Sequence, residues 1–217
     1  MTIRVKSAMG AHGDALRAQR LMPILTLDSV DHGLRVADSL AEGGFKTFEL
    51  TLRTGSALAA IAAIVKRHPT LNVGAGTVLT RDQLQAAADA GAAFAVSPGA
   101  GLELLRIAAN GPLPFIPGVG TVSEAMTATD HGFDLLKFFP AEAAGGVAFL
   151  KAIAGPLPNL RFCPTGGITA QAAPNYLALS NVVAVGGSWV APDALIRDER
   201  FEEIAKLAKN AKALIGR

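Results

Sequence analysis

The sequence predicts an α/β chain: a compact, single-domain (β/α)8 TIM barrel with an N-terminal helix, covering all 217 residues. Three observations carry that expectation. Short apolar runs of strand length alternate eight times with longer stretches of helical period. No linker, low-complexity segment or charge block interrupts the series. Polar side chains collect at the C-terminal ends of the apolar runs, the end at which barrel enzymes build their sites.

Taken in order, "LMPILTL" (21–27) is the first strand. It leads into "DHGLRVADSLAEGG", which opens on Asp and closes on glycine, as helices start and stop. "TFELTL" (47–52) precedes "SALAAIAAIVKRHP", bounded by Ser and Pro, and "NVGAGTV" (72–78) precedes "TRDQLQAAADAG". "AFAVSP" (93–98) is the fourth strand, and "LPFIPGV" (113–119) is the fifth, followed by "TVSEAMTATDHG". The last three strands are "LLKFFP" (135–140), "RFCPTGG" (161–167) and "VVAVGGS" (182–188). A helix, "FEEIAKLAKNAKALIGR", ends the chain. The rival is an open doubly wound sheet, which usually carries G-x-G-x-x-G after its first strand. Here "DSVDHG" stands there instead, so the barrel is favoured.

Half of the residues are apolar, enough for a large core without disulfide or metal staples. Twenty basic against eighteen acidic residues leave a net charge of +2, which argues against a nucleic-acid-binding face. The N-terminal segment has charges throughout and no apolar leader, and no run is long enough to span a membrane. The single cysteine, Cys163, reads as a small core residue and fits a cytoplasmic protein. His12, His32, His68 and His131 are far apart and lack metal-ligand spacing, so no metal is expected.

Strand side chains alternate faces. Parity puts Glu49, Thr51 and Arg53 on one face of "TFELTLR", and Leu135, Lys137 and Phe139 on one face of "LLKFF". A lysine in an apolar strand can face outward and snorkel, and Glu49 can serve only as an ion-pair partner of Arg53 or Lys137. The chemical reading differs. Burial disfavours a charged amine, and a neutral lysine amine attacks a carbonyl to form a Schiff base. A carboxylate on a facing strand then moves the protons. Lysine plus acid, without metal ligands, is the equipment of a class I aldolase. Glycine pairs end the seventh and eighth strands, Gly166–Gly167 and Gly186–Gly187, where barrels recurrently bind phosphate. A helix N-terminus after each pair would add a favourable dipole.

At "FELTLRT", "VGAGTVL", "AVSPG", "KFFPAE", "AIAGPLPNLRFCPTGGI" and "GGSW", in that order, the sequence resembles the 2-keto-3-deoxy-6-phosphogluconate aldolases, which include 4-hydroxy-2-oxoglutarate aldolases. The resemblance implies a (β/α)8 homotrimer with no cofactor, whose partners are pyruvate and a phosphorylated 2-keto sugar acid. It implies Lys137 as the Schiff-base lysine and Glu49 as the acid/base. Arg53 and Thr77 would hold the substrate carboxylate, and Pro98 and Phe139 would line the pyruvyl pocket. Thr165 would touch the hydroxylated chain, and Gly166, Gly167 and Ser188 would bind the phosphate. The implied reaction yields pyruvate and D-glyceraldehyde 3-phosphate, or pyruvate and glyoxylate from 4-hydroxy-2-oxoglutarate. The phosphogalactonate aldolases and the phosphate-binding isomerase or epimerase barrels are the alternatives. Thr26, Ala100, Gly101 and Gly120 depart from the family pattern, Thr26 standing where a valine-like residue is usual.

Overall fold

The computed structural model describes residues 11–216, with side chains from Gly13 onward. The reading of residues 1–10 as free of an apolar leader lies outside the described residues. The first helix, α1 (Ala11–Gln19), precedes β1 (Leu21–Leu25), α2 (Val30–Glu42), β2 (Thr47–Thr51), α3 (Ala57–Arg67), β3 (Asn72–Gly76) and α4 (Arg81–Asp89). There follow β4 (Phe94–Val96), α5 (Leu102–Ala109), β5 (Phe115–Ile116), β6 (Gly118–Val119), α6 (Val122–Asp130), β7 (Leu135–Phe138) and α7 (Gly146–Ile153). The chain closes with β8 (Arg161–Pro164), α8 (Ala173–Leu177), β9 (Val185–Gly187), α9 (Asp193–Arg197) and α10 (Phe201–Ile215).

Thr80 and Thr121 cap their helices as the sequence predicts, whereas α2 is capped by Ser29 rather than by Asp31, and Ser56 before α3 makes no side-chain cap. Ser29 accepts from His32 N at 3.1 Å and Thr80 from Gln83 N at 3.2 Å. Thr121 and Glu124 form a reciprocal capping box on α6. Each cap satisfies backbone N–H groups that the helix itself leaves without partners.

All strand pairs are parallel, in a curled sheet of order β5-β4-β3-β2-β1-β9 and a second of order β6-β7-β8. Two isolated parallel bridges, Phe162–Val182 and Thr165–Gly186, tie β8 to the β9 region. The expected fifth strand is broken into β5 and β6, and the cause is Pro117. Proline has no N–H to give to a ladder. Residues before it pair with β4, whereas Pro117 O accepts from Lys137 N of β7 at 2.9 Å. The Gly118 N–H turns instead to Ser97 Oγ, 3.1 Å away.

The core has two parts. A large one fills the space between strands and helices. A smaller one lies on the inner strand faces, with Met22, Val96, Ile116, Leu135 and Cys163, and Leu16 of α1 packs into it. Fully burying each such side chain contributes about 1.5–3 kcal/mol. Gln19, at the end of α1, donates to Leu21 O and Thr47 O and accepts from Lys46 N and Thr47 N. One side chain thereby ties α1 to the entry of β1 and β2. Among the described residues, no helix is long and apolar enough to cross a membrane.

Candidate active site

Above the apolar inner cluster, the next inward positions are charged. Glu49 in β2 is fully buried and Lys137 in β7 is 5% exposed. Their side chains meet, with Lys137 Nζ donating to Glu49 Oε1 at 3.2 Å and to Oε2 at 3.4 Å. The outward, snorkelling lysine is thus excluded, and the ion pair is real. Stability is a poor reason for it, because desolvating both charges offsets most of the Coulomb attraction. Replacing such a pair with well-packed apolar residues is often neutral or stabilising by about 1–4 kcal/mol.

The neighbours fix this pair. A Cβ on Gly76 would stand 2.0 Å from Glu49 Oε1, so the carboxylate occupies the space that only glycine leaves open. Lys137 Nζ sits 5.5 Å from the centroid of the Phe139 ring. Cys163, opposite Lys137 in the β7–β8 register, is fully buried. Burial pushes its thiol up to about 12, partly countered by the Lys137 charge, so it stays a protonated core residue.

A cavity of about 200 Å³ opens at the C-terminal strand ends. It brings together Arg53, Phe139, Thr165, Gly166, Gly167 and Ser188 of the expected residues. Ile24, Thr26, Gly186, Gly187 and Asp193 complete much of its wall. Arg53 stands not on the strand face but in the turn after β2, exposed, with no hydrogen-bond partner among the described residues. Pro98 lies outside this cavity and lines an adjacent, more open one of about 410 Å³, sharing Phe139 with it. Gly118 makes that approach possible, since a Cβ there would sit 2.2 Å from the Pro98 carbonyl carbon. Thr77 lines neither cavity, but its φ of 60° is a strained conformation for a β-branched residue, costing about 1–3 kcal/mol.

The glycine pairs differ from expectation in one respect. Neither leads directly into a long helix: residues 168–172 intervene before the short α8, and residues 188–192 between β9 and the short α9. Gly166 and Gly167 instead hold φ of 103° and 78°, a backbone course that favours glycine. The segment after β7 anchors them. Ala141 N donates to Thr165 O at 2.7 Å and Glu142 N to Gly166 O at 3.1 Å. Tyr176 Oη donates to Glu142 Oε1 at 2.5 Å. Burial, then that carboxylate, holds the Tyr176 phenol above its usual range.

Residues that sequence reasoning passed over include Gly76, which makes room for Glu49, and the cavity residues Ile24 and Asp193. Inward parity on β1 could have found Ile24 and strand pairing could have suggested Gly76, whereas nothing local signals Asp193. Among the described residues, no group of three or more His, Cys, Asp or Glu could hold a metal ion.

A parallel α/β sheet with a buried lysine–carboxylate pair, linked through Phe139 to a glycine-walled cavity, defines an enzyme built for carbonyl chemistry. Comparison with known proteins makes the class specific. Residues 13–207 match the aldolase model described as KDPG and KHG aldolase. The chain is 47% identical over 191 residues to the KHG/KDPG aldolase of Escherichia coli K12, covering 88% of this chain and 90% of that one. It is 44% identical over 195 residues to the 2-dehydro-3-deoxy-phosphogluconate aldolase of Pseudomonas aeruginosa, covering 90% and 89%. The KDPG aldolase of Legionella pneumophila, solved with pyruvate captured as a covalent carbinolamine intermediate, superposes with a TM-score of 0.89 at 40% identity, covering 92% and 97%. The chain belongs to the KDPG and KHG aldolase family and is a lyase.

Proposed function

We propose that this chain is a class I aldolase that cleaves 2-keto-3-deoxy-6-phosphogluconate to pyruvate and D-glyceraldehyde 3-phosphate, and 4-hydroxy-2-oxoglutarate to pyruvate and glyoxylate. The observation that carries this reading is the buried contact between Lys137 Nζ and Glu49 Oε1, 3.2 Å long; neither residue lines the cavity, but the Phe139 ring, 5.5 Å from Nζ, does.

Lys137 passes a proton to Glu49, 3.2 Å away, and the freed amine adds to the C2 ketone, giving a carbinolamine whose hydroxyl takes that proton and leaves as water to form an iminium. Glu49, within hydrogen-bond reach of Nζ, carries protons for that dehydration and takes the C4 hydroxyl proton. The C3–C4 bond breaks, its electron pair enters the iminium as an enamine, and C4 leaves as the aldehyde. Protonation at C3 and hydrolysis release pyruvate and free Lys137. Arg53, a permanently charged fork with no partner among the described residues, is available to the substrate carboxylate together with Thr77. Phe139 and Pro98 bound the pyruvyl end and Thr165 the hydroxylated chain. The backbone of Gly166 and Gly167, with Ser188, takes the phosphate.

The strand order supports a closed eight-stranded barrel in one domain, with β5 and β6 as halves of the fifth strand and the Thr165–Gly186 bridge at the closing seam. Exposed Leu79 after β3, Leu102 at the start of α5, and Val122 and Met126 on α6 support a subunit interface, which we take to be that of a homotrimer. A lone buried cysteine suits a reducing cytoplasm. The test is pyruvate release from each substrate, coupled to lactate dehydrogenase. Turnover of the phosphorylated substrate is expected, and none from either would overturn the reading.

A further inference from the structure

The cavity carries two threonines whose hydroxyl protons are already committed. The single hydroxyl proton of Thr51 goes to Leu25 O, 3.1 Å away. Thr26 Oγ1 lies 2.9 Å from Thr51 Oγ1, so in that contact Thr26 is the donor and Thr51 the acceptor. Thr165 Oγ1 likewise donates to Cys163 O, at 3.4 Å. Gly186 lets Thr165 sit there, since a Cβ at that position would stand 2.2 Å from its Oγ1. Both residues line the cavity, and each hydroxyl, with its one proton committed, has only lone pairs to offer a ligand there. At these two threonines the wall therefore accepts hydrogen bonds, whereas Arg53, Ser188 and the glycine backbone supply its donors.

From this we infer that Thr26 is a specificity-determining residue, an acceptor that selects a substrate with a hydroxyl on the carbon beyond the cleaved bond and disfavours one with a carboxylate there. The inference rests on the aldolase reading above and refines it. In 2-keto-3-deoxy-6-phosphogluconate, C5 carries a hydroxyl that donates to such an acceptor. In 4-hydroxy-2-oxoglutarate, C5 is a carboxylate that accepts only, and it meets lone pairs facing lone pairs. A buried acceptor discriminates sharply between a donor and a second acceptor, because the mismatched pair leaves both groups desolvated and unsatisfied. Valine at position 26 offers the same shape without the lone pairs.

The experiment measures kcat/KM for both substrates in the wild type, Thr26→Val and Thr26→Ser, with thermal melts to establish folding. Thr26→Val is expected to lower the preference for the phosphogluconate substrate by about 5- to 10-fold, the range of one neutral hydrogen bond. Thr26→Ser, which keeps the hydroxyl, is expected to hold the ratio near the wild-type value. An unmoved ratio in Thr26→Val overturns the inference while leaving the aldolase reading intact. So does an equal shift in both variants, which would make space rather than the hydroxyl responsible. A wild type that cleaves neither substrate overturns the aldolase reading and the inference with it.

Discussion

Gly76→Ala perturbs the site without replacing a group that reacts. Gly76 ends β3 directly opposite Thr51, and its φ is not in the left-handed region, so alanine adds bulk there and no backbone strain. The new methyl would lie 2.0 Å from Glu49 Oε1 and 2.5 Å from its Cδ. To reach the 3.4 Å of ordinary contact, the carboxylate oxygen has to retreat by about 1.4 Å. Its contacts to Lys137 Nζ are 3.2 and 3.4 Å, so a shift of that size disrupts the pair. Overpacking of this kind costs about 1–3 kcal/mol of stability. Misplacing a catalytic group by an ångström costs on the order of 100-fold in rate. We expect Gly76→Ala to fold with a lowered melting temperature and to lose about 100-fold in kcat for retro-aldol cleavage. Lys137 should still be trapped by pyruvate and borohydride. A folded variant with kcat within about twofold of wild type would refute the claim that Gly76 sets the position of Glu49.

Two other predictions follow from burial. Lys137→Ala should abolish turnover and also destabilise the fold by about 3–5 kcal/mol, because it leaves a buried carboxylate without its partner. Chemical denaturation should show the Lys137→Ala/Glu49→Gln double variant to be the more stable of the two, and a double variant less stable than the single would contradict the pairing. The Cys163 thiol, raised to about 12 by burial, should remain protonated at pH 8 and resist iodoacetamide in the native protein. Mass spectrometry should find it labelled only after unfolding, and rapid native labelling would contradict its place in the core.

The parts of this molecule that depend on local period were legible in the sequence. Strand alternation alone turns Glu49, Lys137, Phe139 and Thr165 inward, and the side chains of Lys137 and Glu49 do meet. The glycine pairs could be located because their ordinal place in the strand series fixes their place around the sheet. Other features depend on contacts between distant segments. The missing N–H of Pro117 was visible in the sequence, but the exchange of strand partners that it marks, from β4 to β7, was not. Arg53 carried strand parity on paper, yet β2 ends at Thr51 and the turn decides where its guanidinium goes. The separation of Pro98 from the main cavity is set by the packing of Phe139 and Gly118, residues remote from it in sequence. The direction of the Thr26 hydroxyl depends on a proton that Thr51 gives to Leu25, which no pattern within one strand records.

The central claim is that the amine of Lys137 forms a covalent imine with the keto acid. Incubating the protein with pyruvate, reducing with borohydride and mapping the adduct by peptide mass spectrometry tests it directly. A pyruvyl-derived adduct is expected on Lys137 and no other lysine, and it should be lost in Lys137→Ala. A folded protein that binds pyruvate but carries no adduct on Lys137 after reduction would contradict it.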